Sequence, residues 1–199
     1  MSFINLNNNK KQRYIFDRPG KYTVFFTNTS GNYKFIIKSK GVDLEILGII
    51  IGKNDDVFNI NTDQIHIAPK SKSNLLVKGI LYDRAKLQLR GLIKIEKSGQ
   101  KTKAYQKNKN LIMSKNAFVD TKPYLEILAD DVYCTHGSTT GKIDENVLFY
   151  LNSRSIEPKK AEDLVVQGFL NDVFAMIRNV ASKKEFDNIQ KDIINKLWM

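Results

Sequence analysis

The chain has 199 residues, 42% of them hydrophobic, enough for one well-buried core and too few for two comfortable domains. Its single cysteine excludes an internal disulfide framework and fits a reducing cytosol, and no apolar run approaches the ~20 residues needed to span a bilayer. A formal net charge of +11, from 32 basic against 21 acidic residues, is dispersed in short clusters such as Lys10 to Arg13 and Lys97 to Lys109. No RNP-type or helix-turn-helix pattern accompanies those clusters, so they read as solvated surface, and nucleic acid is not expected as a partner.

The N-terminal MSFINLNNNKKQRY lacks the apolar stretch and small-residue cleavage site of a secretory signal, and a soluble cytoplasmic protein is expected. From Lys21 to about Tyr133 short β segments alternate with Gly, Asn, Asp, Ser and Lys. Examples are Tyr22 to Phe26, Lys34 to Ile37, Val42 to Ile46, Leu87 to Leu89 and Leu92 to Ile95. The last four alternate apolar with polar, the period of a half-buried strand. A sandwich, a barrel and a stacked β-helix all fit such spacing, and no exact repeat selects among them.

After Gly141 the period changes to that of a helix. Asp144 is placed to cap a short helix carrying Val147, Leu148 and Leu151. Pro158 suits the first turn of a second helix with the stripe Leu164, Phe169, Leu170, Val173, Phe174 and Ile177. Ser182 and Glu185 form a capping-box pattern for a third, with Phe186, Ile189, Ile193 and Leu197 on one face. The expected organisation is therefore a β core over 1–141 and a helical region over 142–199.

The densest constellation of reactive side chains runs from Asp130 to His136. Residues two apart on a strand share a face, so Cys134 and His136 present a thiol and an imidazole side by side, ligand types that suit iron or zinc. Two ligands are an incomplete site, and the chain has no second cysteine to extend it. A second reading makes Cys134 a small buried hydrophobe and His136 a hydrogen-bonded histidine at a strand end. A third makes the pair nucleophile and base of a thiol enzyme, although no orienting third residue is identified. Gly137 to Lys142 imitates a phosphate-binding loop but has three residues between its glycines and no Ser or Thr after the lysine, and it is read as a turn into the first helix. His66, within Ile65-His66-Ile67, is assigned no role.

Several blocks in fixed order resemble the SufB/SufD family of iron–sulfur cluster assembly proteins, and its SufD branch most closely. They are Thr62 to Pro69, Ser73 to Leu81, Arg90 to Ile93, Gln100 to Gln106, Asn110 to Ser114, Thr121 to Pro123, the stretch from Lys122 to Tyr150, and Gly168-Phe169. The resemblance implies a right-handed parallel β-helix followed by a small C-terminal helical region, with a non-enzymatic scaffold role. It also implies a SufC-type ATPase docked on the helices around Phe149, Tyr150, Phe169 and Phe174. A SufB-like subunit or a second copy would pair with the β-helix. A transient iron–sulfur cluster would be shared with that partner through His136 and its neighbour Cys134, and no nucleotide would be bound by this chain. Asn108 stands where the SufB branch has its interface cysteine, and Thr135 and Gly137 stand where it has glutamates. Relative to the family the chain is short and lacks the N-terminal helical region and early coils, so part of the SufB substrate channel should be missing. Ser155 replaces the family's usual glycine after Arg154, with a changed junction between helices expected. The alternative is a basic nucleic-acid-binding or structural module that has lost cluster assembly.

Overall fold

A computed structural model describes residues 2–8 and 11–198. Lys10, at the head of one basic cluster, lies outside them. The strands are β1 (Ser2–Asn5), β2 (Arg13–Phe16), β3 (Gly20–Thr27), β4 (Gly31–Ile37), β5 (Val42–Gly52), β6 (Val57–His66), β7 (Lys72–Leu81), β8 (Lys86–Ile95), β9 (Lys103–Ile112), β10 (Phe118–Ile127) and β11 (Tyr133–Gly141). A 3-10 turn, Leu6–Asn8, follows β1. The odd-numbered strands make one six-stranded sheet in the order β1-β3-β5-β7-β9-β11, and the even-numbered strands a five-stranded sheet in the order β10-β8-β6-β4-β2. Every pairing is parallel, so the chain winds between two sheets as a β-helix. Leu44 pairs with Ser73, Ser73 with Ala104 and Ala104 with Cys134, one residue per successive coil.

Burial follows strand parity because side chains alternate between faces. On β8 the residues Leu87, Leu89, Ile93 and Ile95 are buried, while Gln88, Arg90 and Lys94 between them are not. The near-continuous run Leu44 to Ile51 on β5 is buried on both faces. Leu44, Ile46 and Ile50 join the core between the sheets, and Leu47, Ile49 and Ile51 join a second core under the helices.

Neighbouring coils are locked together at their corners. Asn28 has a left-handed backbone (φ 42°), and its amide donates to the Ile51 carbonyl at 2.6 Å and accepts from the Ile51 N–H at 2.9 Å, extending the ladder by one side chain. Asn54 N–H donates to Asp83 Oδ2 and Asp83 N–H to Ser114 Oγ, each at 2.8 Å. A second corner stacks Gly41, Lys70 and Lys101, all with positive φ. Only the glycine adopts that conformation without steric cost.

Three helices follow: α1 (Glu145–Ser153), α2 (Pro158–Arg178) and α3 (Lys183–Trp198). Asp144 caps α1 by accepting from Asn146 N–H at 2.9 Å, Pro158 opens α2, and Ser182 and Glu185 form the expected capping box. Helices α2 and α3 cover the outer face of the six-stranded sheet, with Val166, Leu170, Val173, Ile177, Phe186, Ile189, Ile193 and Leu197 packed on Phe25, Leu47, Ile49, Ile51 and Ile80. The buried stripe of α2 is Ala161, Val166, Leu170, Val173 and Ile177, rotated from the one expected, so Leu164 is exposed and Phe169 and Phe174 are only partly buried. Ser155 keeps the left-handed backbone (φ 63°) that glycine adopts more easily.

Candidate functional site

The interior of the β-helix changes character along its axis. The earlier coils are filled by apolar and aromatic side chains such as Phe16, Phe26, Phe35, Leu44 and Ile46. Toward the last coils, polar side chains take inward positions: Thr62, Gln64 and His66 on β6, and Gln106, Asn108 and Asn110 on β9. Glycines make room for two of them, since a Cβ at Gly91 would overlap the Gln106 amide and one at Gly79 the Asn110 amide. His66 is fully buried between two serines, with Nδ1 2.8 Å from Ser71 Oγ and Nε2 2.7 Å from Ser73 Oγ. Burial pushes its pKa down to about 4, so it stays neutral as a structural histidine.

Strands β10 and β11 form the last coil, and among the described residues no strand stacks beyond them. Parallel register preserves facing, and Cys134, His136 and Ser138 pair with Ala104, Gln106 and Asn108, all buried and inward. The thiol and the imidazole therefore share the inner face of an uncovered coil. Thr121 on β10 meets Ser138 on β11 at 2.7 Å, bridging the two sheets at this mouth. His136 is exposed. Cys134 is partly buried beside Ile93, Ile95, Ala104 and Ala129. Leu125 and Ile127, in register with buried Ile93 and Ile95, are exposed with Tyr124, Leu128 and Tyr133. An uncapped coil end with exposed apolar residues is a surface that proteins ordinarily cover.

Two expectations about this segment need correction. Gly137 to Gly141 is strand rather than a turn, paired residue by residue with β9 as far as Leu111, and only Lys142 to Asp144 connect it to α1. The β-branched Thr135, Thr139 and Thr140 suit that strand, and Gly137 has a roomy site, so neither glycine breaks it. His136 consequently lies inside a strand and not at its end.

Burial pushes the Cys134 thiol up, with only a partial opposing effect from a backbone hydrogen bond at Ala104. A thiol nucleophile needs the opposite shift. Alkylation of Cys134 by iodoacetamide at pH 7 is expected to run several-fold slower than that of a free cysteine and to accelerate on denaturation. A rate equal to or above the free thiol's would restore the thiol-enzyme reading. Among the described residues no group of three or more His, Cys, Asp or Glu side chains is arranged to hold a metal ion. The mouth presents one thiol and one imidazole, Cys134 and His136.

The four aromatic residues considered for docking divide into two pairs. Phe149, 75% exposed, and Tyr150 project from α1, a helix with no buried residue. Phe169 lies under the Lys78 ammonium, 4.6 Å from its ring centroid, and Phe174 packs edge-on against Phe186 at 6.4 Å. The inward polar residues Thr62, Gln64, Gln106 and Asn110 were not anticipated as a group. Their parity with Ala104 and Ile60 marks them, but an interior is expected to be apolar. No helix among the described residues is long and apolar enough to cross a membrane.

The family model for the SUF system FeS cluster assembly, SufBD core domain, matches residues 11–169. The chain is 35% identical over 142 residues to the iron–sulfur cluster assembly protein SufD of Escherichia coli (strain K12), covering 71% of this chain and 34% of that protein. It is 33% identical over 141 residues to SufD of Bacillus subtilis (strain 168), covering 71% and 32%. Against SufB of Bacillus subtilis the figures are 30% over 135 residues, 68% and 29%. The chain thus spans about a third of the length of these relatives.

Proposed function

Because this chain belongs to the SufB/SufD family of iron–sulfur cluster assembly proteins, we propose that it serves as a SufD-like scaffold subunit and not as an enzyme. The uncovered coil end pairs with a SufB-like subunit or a second copy, and His136, with Cys134 beside it, supplies part of the ligand set for a transient cluster that is cargo. The residues 142–199 dock a SufC-type ATPase through the exposed face of α1 at Phe149 and Tyr150, while 1–141 act as the scaffold. The observation that carries this reading is the placement of His136 and Cys134 on the inner face of an open coil. Such a pair is an incomplete site alone and becomes a site when a partner bearing thiolates caps the mouth.

Co-purification with the ATPase and a SufB-like subunit, followed by anaerobic reconstitution, tests the proposal. His136→Ala is expected to leave the complex intact and lower cluster formation at least about tenfold, as loss of a metal ligand or its support does. Phe149→Glu is expected to weaken ATPase capture without affecting pairing of the coil ends. Failure to form any complex, or full cluster formation with His136→Ala, would reject it.

A further inference from the structure

We propose that Gln106 is a positioning residue for His136: its side-chain oxygen, unpaired in this structure, accepts the imidazole N–H when His136 turns inward, and so fixes which ring nitrogen faces the mouth. The inference deepens the reading of His136 as a cluster ligand and rests on it for its consequence.

Gln106 lies on β9 directly beside His136 in register, on the same inner face and one coil deeper. It is 5% exposed. Its amide nitrogen donates to the Gly91 carbonyl of the opposite sheet at 3.4 Å, which holds the end of the side chain. Among the described residues its Oε1 has no hydrogen-bond partner, His136 included, although a buried amide oxygen ordinarily has one. Two other polar pairs at the mouth, Thr121 with Ser138 and Asn110 with Thr140, are already engaged with each other. A free acceptor beside an imidazole is complementary to a ring N–H. Gly91 is part of the arrangement, because any Cβ there would drive the amide away. A ligating histidine whose second nitrogen is held by a carbonyl presents one tautomer and one orientation, and removing such a support typically weakens metal binding 10–100-fold, or roughly that order.

The chain has only two histidines, so 15N-labelled imidazole spectra of the full chain at pH 8 resolve both, with His66 reporting on the fold. His136 is expected to favour one tautomer in the wild type. Gln106→Met, which keeps volume and removes the acceptor, is expected to move it toward the mixture of free imidazole while leaving the His66 signals in place. Gly91→Ala, which displaces the amide without removing it, is expected to do the same. An unbiased tautomer mixture in the wild type, or one unchanged in both variants, overturns the proposal, since a merely structural glutamine would alter stability and leave the tautomer alone. Anaerobic Co2+ titration separates this from the ligand reading: Gln106→Met is expected to weaken uptake roughly tenfold. Uptake that ignores His136→Ala would remove the ligand role while a tautomer shift still supported the positioning one.

Discussion

Acidification from pH 7 to 4.5 is expected to weaken the fold by about 2 kcal/mol through His66 alone. The side chain is buried between Ser71 and Ser73, and burial is the sole cause holding its pKa near 4 against an ordinary value of 6.5. With the Ser71 hydroxyl donating to the Ala68 carbonyl at 3.2 Å, Nδ1–H donates to Ser71 and Nε2 accepts from Ser73. A proton on Nε2 would set two donors against Ser73 unless its hydroxyl turned away. Between pH 6.5 and 4 the unfolded chain takes up a proton that the folded chain refuses, so stability is complete above 6.5 and falls as pH drops through this window.

Glu45 acts in the opposite direction, because burial raises its folded pKa and protonation there favours the folded state. A variant is therefore needed to isolate the histidine. His66→Gln is expected to be less stable at pH 7 but to lose the steep acid dependence, measured as the urea midpoint at pH 7, 6, 5 and 4.5. A variant whose midpoint keeps the wild-type slope over this range contradicts the assignment.

Much of the β architecture was legible because strand parity is local. Each segment named from Tyr22 to Ile95 lies in a strand, and the pieces Leu87 to Leu89 and Leu92 to Ile95 belong to one strand, β8. The repeat itself was hidden because the corners are built from different residues doing one job: Asn28, Asp83 and Ser114 use side chains, while Gly41, Lys70 and Lys101 share only a backbone conformation. Cys134 and His136 could be placed on one face by spacing alone. That their face is the inner one, and that nothing described covers it, depends on register between segments about thirty residues apart, as in the Gln100 to Asp131 bond across 31 positions. The turn assigned to Gly137 to Lys142 failed as far as Gly141 because two glycines outweighed the neighbouring threonines in a local reading, whereas pairing with β9 decides the conformation. The α2 stripe was rotated for a similar reason: Phe169 and Phe174 are the bulkiest apolar residues there, but the sheet selects Val166, Leu170, Val173 and Ile177.

Lys78 also escaped a parity reading, since a lysine on an outward position normally meets water. Here α2 lies over β7, leaving Lys78 3% exposed, with Nζ 2.5 Å from Asp172 Oδ1, donating also to the Phe169 carbonyl. Its cross-strand neighbour is Lys109, and Lys109 and Lys107 add like charge without making an ion pair among the described residues. Burial depresses the Lys78 pKa, and Asp172 opposes that shift. Asp172→Ala is therefore expected to be destabilising by about 2 to 3 kcal/mol, below the 3 to 5 of a fully buried broken pair because Asp172 is half exposed and the Phe169 carbonyl remains. Lys78→Met removes charge and acceptor demand together and is expected to stay within about 1 kcal/mol of wild type. In the Lys78→Met background, Asp172→Ala should cost less than about 0.5 kcal/mol, so the double-mutant cycle reports strong coupling. The Asp172→Ala protein should also regain stability from pH 7 to 10, because a depressed lysine pKa makes the neutral form the compatible one. If Lys78→Met proves the more damaging change, the ammonium and not its counterion fastens α2 to the sheet, and the charge would be a determinant of where the helical region sits.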